Sequence, residues 1–267
     1  MSDTPSRPAA EQARLLQDPV DTHETGLVWD LPVRLAHWGL VLSLAGSWLT
    51  AELGVEYRDY HFWCGYAALG IVLFRLMWGV IGTHYAQFRH FLPGPGRLLW
   101  FVRSRGGTND TARDSLGAGH NPLGAGHNPL GALSIVVLLG LVSVQIGTGL
   151  FTDDDILYTG PYQSAVSSAT VEWLTNLHHS NFDYLLAMVV LHLVAIAYYR
   201  FARRQLLTRA MITGRKPLTA FGSQEPLADD AQTRIWWRGL LVLIVAAALV
   251  TALLYFAPEP VYDDYYY

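Results

Sequence analysis

One cysteine, Cys64, stands in 267 residues, so the chain can form no intramolecular disulfide, no Cys-rich zinc or iron–sulfur site and no C-x-x-C-H attachment of a covalent c-type haem. Charge is scarce as well. Asp, Glu, Lys and Arg make up 15% of the residues against 51% hydrophobic ones, with a mean hydropathy of +0.22, a balance that suits a bilayer protein better than a soluble enzyme. There is no basic excess: 18 Lys+Arg face 22 Asp+Glu, for a formal charge of -4, and this leaves no electrostatic case for nucleic acid. The first 28 residues are polar, carry five carboxylates before Gly26, and lack the short apolar core of a cleaved signal peptide.

Five apolar runs are present, at 33–51, 62–82, 130–152, 180–201 and 239–257, each near the roughly 20 residues that cross a hydrocarbon layer as a helix. Basic residues near span ends stay on the cytoplasmic side, and here they alternate. Arg7, Arg14 and Arg34 lie before or at the first span; Arg89, Arg97, Arg103, Arg105 and Arg113 lie between the second and third. Arg203, Arg204, Arg209, Arg215, Lys216 and Arg234 lie between the fourth and fifth, whereas the opposite loops hold only Arg58. The N-terminus is therefore expected inside and the C-terminus outside. The expected division is a polar cytoplasmic N-terminus (1–28), a membrane domain (29–205), a cytoplasmic linker (206–238), an extra transmembrane helix (239–257) and an acidic, Tyr-rich periplasmic tail (258–267).

Four of the ten histidines lie in or at the edges of spans, where an ionisable ring is costly without a partner or a task. These are His37, His61, His178 and His192. From His178 to His192 is 14 residues, about 40° short of whole turns with a rise of about 21 Å, so both rings project from one helix face. From His179 the same arithmetic leaves the rings roughly 140° apart; His178 is preferred, with fraying at the membrane edge as the way His179 would replace it. Depth then pairs His37 with His192 and His61 with His178. Two bis-histidine sites stacked across one membrane suit two haems that pass an electron, with no open coordination position for oxygen chemistry. Two other readings of these histidines stand beside this one: interfacial hydrogen bonders, and a metal-transport path, which would want carboxylates that these spans barely offer.

The motifs Val28-Trp29-Asp30-Leu31-Pro32-Val33-Arg34 leading to Ala36-His37-Trp38, His61-Phe62-Trp63-Cys64-Gly65-Tyr66, Phe74-Arg75 with Trp78-Gly79, Gly126-His127-Asn128-Pro129-Leu130-Gly131, Leu177-His178-His179 and Leu191-His192 give the chain its family likeness. It resembles the bacterial di-haem cytochrome b-561 proteins and the cytochrome b subunits of membrane-bound nickel-iron hydrogenases over residues 27 to 205. The resemblance implies two haems b ligated at His37, His61, His178 and His192. The expected fold is thus all-α, an integral membrane four-helix haem-binding bundle plus a fifth C-terminal transmembrane helix.

Around these ligands, Arg75 and Arg34 are candidates for haem propionates, with snorkelling to lipid phosphate as the competing reading for each. Residues 117–130 hold a tandem Gly-Ala-Gly-His-Asn-Pro-Leu, of which only the second copy abuts the third span. His127 and Asn128 are accordingly candidates for hydrogen bonds to a quinone, against helix capping ahead of Pro129. Asp153, Asp154 and Asp155 would either steer a basic electron carrier or form a solvated loop. The functional expectation is a respiratory electron conduit between the quinone pool and a periplasmic c-type cytochrome or oxidoreductase subunit. No nucleophile or acid–base pair for transforming a substrate is evident, so a non-catalytic subunit is favoured. A self-contained quinol-dependent reductase or oxidase of a small oxidant, and a non-haem transporter or structural membrane subunit, are the alternatives.

Overall fold

The computed structural model describes residues 25–92, 129–154, 158–221, 225–228 and 231–259. Most of it is helical. Helix α1 (Leu31–Glu52) begins where the Asp30 carboxylate accepts from Val33 N at 2.7 Å, with Pro32 in the first turn, where a missing N–H costs nothing. A 3-10 turn at Val55–Tyr57 leads into α2 (Arg58–Ile81), and α3 (Phe88–Phe91) is a single turn. Then follow α4 (Pro129–Gly149) and α5 (Ser168–Phe201), the latter capped by Ser167. Short α6 (Leu207–Thr213) and long α7 (Ala231–Tyr255) complete the set.

Four helices are long and apolar enough to cross a membrane: Val55–Ile81, Gly131–Gly149, Ser168–Phe201 and Ile235–Tyr255. Helix α1 is of spanning length but is not among them, because Arg34, His37, Ser43, Ser47 and Thr50 interrupt its apolar run. Helix α5 starts twelve residues before the apolar run at 180. Hydropathy could not find that start, since Glu172, Thr175 and Asn176 make the extension polar while a serine cap holds it.

The backbones pack as α1 on α2 and α4 on α5, with α2 also against α4, while α1 and α5 scarcely touch. A central apolar layer of Val72, Val142 and Leu185, with Leu40, Leu44, Leu138 and Val189 around it, draws on all four helices. Helix α7 lies antiparallel on α2. At one end Arg238 donates to Ile81 O and Pro32 and Trp78 approach Gly239. At the other end Val250 meets Gly70, and Tyr162 Oη donates to Leu253 O at 2.7 Å.

The largest buried core is at the end of the bundle where α1 begins and α2 ends. It gathers Val28, Trp29, Val33, Phe74, Trp78, Tyr85, Ala210, Phe221 and Ile235. Here β1 (Thr25–Leu27) pairs antiparallel with β2 (Arg215–Pro217). Gly214, with φ of +80°, turns the chain after α6, and its carbonyl accepts from Val28 N and Trp29 N. A Cβ there would stand 2.5 Å from Trp29 O, so both the left-handed backbone and the close approach require glycine. Within the stretch read as a linker, 206–238, Ala210 and Phe221 bury their side chains in this core. Trp78 and Trp29 are buried in the same core, whereas Trp63, Trp173, Trp236 and Trp237 are exposed.

Candidate functional site

His61 lies in the first turn of α2, and His178 lies ten residues into α5. The structure brings them together, ring centroids 6.4 Å apart and planes at 75°. His61 Nδ1–H donates to Ser47 O at 2.8 Å, and His178 Nδ1–H donates to Gln145 O at 2.9 Å. A carbonyl can only accept, so both rings carry their proton on Nδ1 and keep the Nε2 lone pair available for a metal. Two imidazoles that each bound the same metal ion through Nε2, with bonds of about 2 Å, would stand roughly 6 Å apart. The observed separation fits that arrangement.

The neighbouring polar groups lock His178 in place. Gln145 Nε2 donates to His178 O at 3.0 Å, and Asn181 Nδ2 donates to Gln145 Oε1 at 2.7 Å and to Leu141 O at 3.0 Å. Thr148 Oγ1 lies 3.2 Å from His178 Nδ1, and Ser47 Oγ lies 3.1 Å from His61 Nδ1. Gly149 leaves the ring its room, since a Cβ there would come 2.9 Å from His178 Cε1. His179 is exposed and forms no part of this group; with eleven helical residues ahead of it, fraying gives it no route to His61.

His37 and His192 form the second pair, on α1 and α5. Both rings are half-buried and close enough to interact electrostatically. The central apolar layer lies between this pair and the first, since Leu40 and Leu44 follow His37 while Leu185 and Val189 precede His192. Among the described residues no group of three or more His, Cys, Asp or Glu side chains could hold a metal ion. Two imidazoles would suit a metal whose other positions a macrocycle fills. Small residues flank the first pair accordingly: Gly65, one turn from His61 on the same face, has no atom within 4 Å of where a Cβ would stand.

Asp30 organises the end near His37. Its carboxylate, 1% exposed, accepts from Val33 N, from Trp78 Nε1 at 3.0 Å and from Thr83 Oγ1 at 2.6 Å, and lies within electrostatic reach of Arg34 and Arg75. Arg75 donates to Ala86 O at 3.1 Å and sits 4.7 Å over the Phe88 ring, which clamps residues 83–91 onto α2. Arg34 donates to Ile212 O, and its Nε is buried without a hydrogen-bond partner. His127 and Asn128 lie outside the described residues, as do His23 and Asp155. Asp153 and Asp154 serve their own loop, accepting from Gln163 Nε2 at 3.0 Å and from Tyr158 N at 2.9 Å. His84 and His90 are exposed and stack at 3.9 Å.

Sequence reading passed over Ser47, Gln145, Thr148 and Asn181. Their signal was present: polar side chains inside apolar runs, at helical spacing, Gln145 with Thr148 and His178 with Asn181, where each must find a partner.

The family model for prokaryotic cytochrome b561 matches residues 28–214, from the strand before the Asp30 cap to the glycine that closes α6. No curated protein and no solved structure matches the chain.

Proposed function

The chain belongs to the prokaryotic cytochrome b561 family and is a membrane b-type cytochrome of electron transfer, and we propose that it carries two haems b and passes electrons between the quinone pool and a periplasmic redox partner. The observation that carries this reading is the His61–His178 pair, two imidazoles 6.4 Å apart with both tautomers set by main-chain carbonyls. His37 and His192 hold the second haem, about 21 Å along the bundle by the helical rise between His178 and His192. Each haem supplies one-electron redox chemistry at its iron. A haem held by two histidines would supply electron transfer in preference to oxygen chemistry. The protein's part is to fix ligand orientation through the Nδ1 hydrogen bonds and to keep the central layer apolar.

Five spans, with the N-terminus cytoplasmic and the C-terminus periplasmic, accompany this reading. Helix α7 lies antiparallel along α2 from Arg238 to Leu253, as an adjacent span would, and the alternation of basic residues sets the direction. Because α4 ends beside His178, it begins at the His37–His192 end, and His127 and Asn128 immediately precede it. His127 and Asn128, the imidazole and amide that precede α4 in sequence, are the residues assigned to hydrogen-bond a quinone headgroup. An apolar groove of about 270 Å³ lined by Leu76, Phe88, Leu92, Val136, Leu139 and Ser143 would take its tail. Arg34 is the propionate partner at this end; Arg75, whose guanidinium serves Ala86 O and the Phe88 ring, is the weaker candidate. The partner on the far side is a c-type cytochrome or oxidoreductase subunit, for which this chain is the membrane conduit.

Haem per polypeptide, measured by pyridine haemochromogen on detergent-purified protein, tests the assignment. Two haems b in the wild type, falling to one in His61→Ala and in His192→Ala, are expected. Folded protein without haem, or variants that keep both, would refute it.

A further inference from the structure

Among the described residues two buried side-chain nitrogen or oxygen atoms lack a hydrogen-bond partner, and both are arginine Nε atoms, of Arg34 and Arg58. Each arginine sits three residues before a ligand histidine: Arg34 before His37 on α1, Arg58 before His61 on α2. Three residues on a helix separate side chains by about 60° and roughly 4.5 Å, so each guanidinium shares its histidine's face, one turn nearer the helix start. The two helices run in opposite directions, and the two arginines therefore stand at opposite ends of the bundle.

Arg58 is the more telling of the two. It is half-buried, and no described residue accepts a hydrogen bond from it. It lies within electrostatic reach of His61. A guanidinium with a buried N–H and no acceptor is expensive, and its placement calls for an anion on the His61 side of α2. Topology alone does not require the burial, because an arginine at a membrane edge can extend into water.

We propose that Arg58 binds a propionate of the haem held by His61 and His178, and that Arg-x-x-His is a repeated device in this chain, one arginine for each haem. Haem b carries two carboxylates on one edge of its ring, and a guanidinium binds a carboxylate with paired N–H donors. In this role Arg58 is a positioning residue. It anchors the edge of the macrocycle while His61 and His178 hold the iron, and its positive charge stabilises the reduced, more negative state. This inference rests on the two-haem reading.

The test uses the full chain in detergent, with potentiometric titration followed at the haem bands and the His61→Ala difference spectrum identifying the haem concerned. Two haems in the wild type establish the reading on which the inference stands; fewer would fail that reading before Arg58 is touched. In Arg58→Gln the reduction equilibrium of the His61–His178 haem is expected to fall roughly tenfold, about 59 mV for a one-electron couple, with the other haem unmoved. Arg58→Lys, which keeps the charge, is expected to restore at least half of that shift. Selective loss of this haem from Arg58→Gln but not from Arg58→Lys supports the same assignment. An unchanged potential in Arg58→Gln, an equal shift of both haems, or equal loss of haem from both variants overturns it.

Discussion

Gly149 gives the sharpest handle on the site. A Cβ placed there would stand 2.9 Å from His178 Cε1 and 3.3 Å from Nδ1, against an optimal carbon–carbon contact of about 3.5–4.0 Å. In Gly149→Ala the ring must retreat by roughly 0.6 Å or more to reach that range. It has little freedom to do so. Its Nδ1–H is tied to Gln145 O at 2.9 Å, its backbone carbonyl is held by Gln145 Nε2, and on the far side stands the axis toward His61. A retreat of that size stretches the Nδ1 bond beyond useful length or turns Nε2 off the axis. Losing an orienting partner of a metal-bound histidine costs about 10–100-fold in metal affinity. The Gly149→Ala chain is therefore expected to purify with close to one haem, or to release its second haem about 10–100-fold more readily to a haem acceptor such as apomyoglobin. Gly70→Ala is the companion variant, since its Cβ would meet Val250 at an ordinary 3.7 Å; it should keep two haems. If Gly149→Ala holds both haems with unaltered release rates and potentials, His178 is not fixed in the way described here.

The Asp30 cap should govern stability rather than redox behaviour: Asp30→Ala removes the cap of α1, worth about 1 kcal/mol, and orphans the buried donors of Trp78 and Thr83, about 1–3 kcal/mol each. A loss of about 3–7 kcal/mol is expected from these terms, seen as a lowered temperature of haem release, with a much smaller drop for Trp78→Phe; equal melting of Asp30→Ala and wild type would contradict the role. Lys216 is the sole lysine of the chain, half-buried and 5.9 Å from the Trp29 ring, and burial pushes its ammonium down from 10.5 to about 8. Because the unfolded chain holds the proton that the folded chain releases, stability should rise between pH 8 and 10.5, and Lys216→Met should remove that slope in thermal melts taken across the window.

How much of this was legible in the residues depends on which physics placed them. The long helices follow from apolar runs, and the pairing of His37 with His192 and His61 with His178 follows from depth and phase, because helical rise and rotation are fixed by backbone geometry alone. His178 could be chosen over His179 for the same reason. What resisted reading is what depends on contacts between segments far apart in the chain. The polar start of α5 is held by a serine cap, so no hydropathy pattern marks it. Residues 206–221 look like a linker by composition, yet Ala210 and Phe221 pack into a core assembled from α1, α2 and α7. Arg75 inside a span suggested an anion from the cofactor; the structure supplies Ala86 O and the Phe88 ring from a loop that doubles back, a return that composition does not announce. Arg58 was read only as an exception among acidic outer loops, since its three-residue lead on His61 means little until its Nε is seen to be buried.

The two histidine pairs are not equivalent, and on the two-haem reading their difference would order the haems. At one end both rings donate from Nδ1 to main-chain carbonyls; among the described residues, neither His37 nor His192 makes a ring hydrogen bond. Donation to a carbonyl raises the basicity of the coordinating nitrogen and so stabilises the more positive, oxidised iron. The arginines do not offset this, because each pair has one at the same spacing. The His61–His178 haem is therefore expected to have the lower potential, so that an electron delivered to it moves favourably toward the His37–His192 haem. A redox titration should resolve two one-electron steps, and the step lost in His61→Ala should be the more negative. Loss of the more positive step would show that some other feature outweighs the carbonyl hydrogen bonds, and the order of the haems would be reversed.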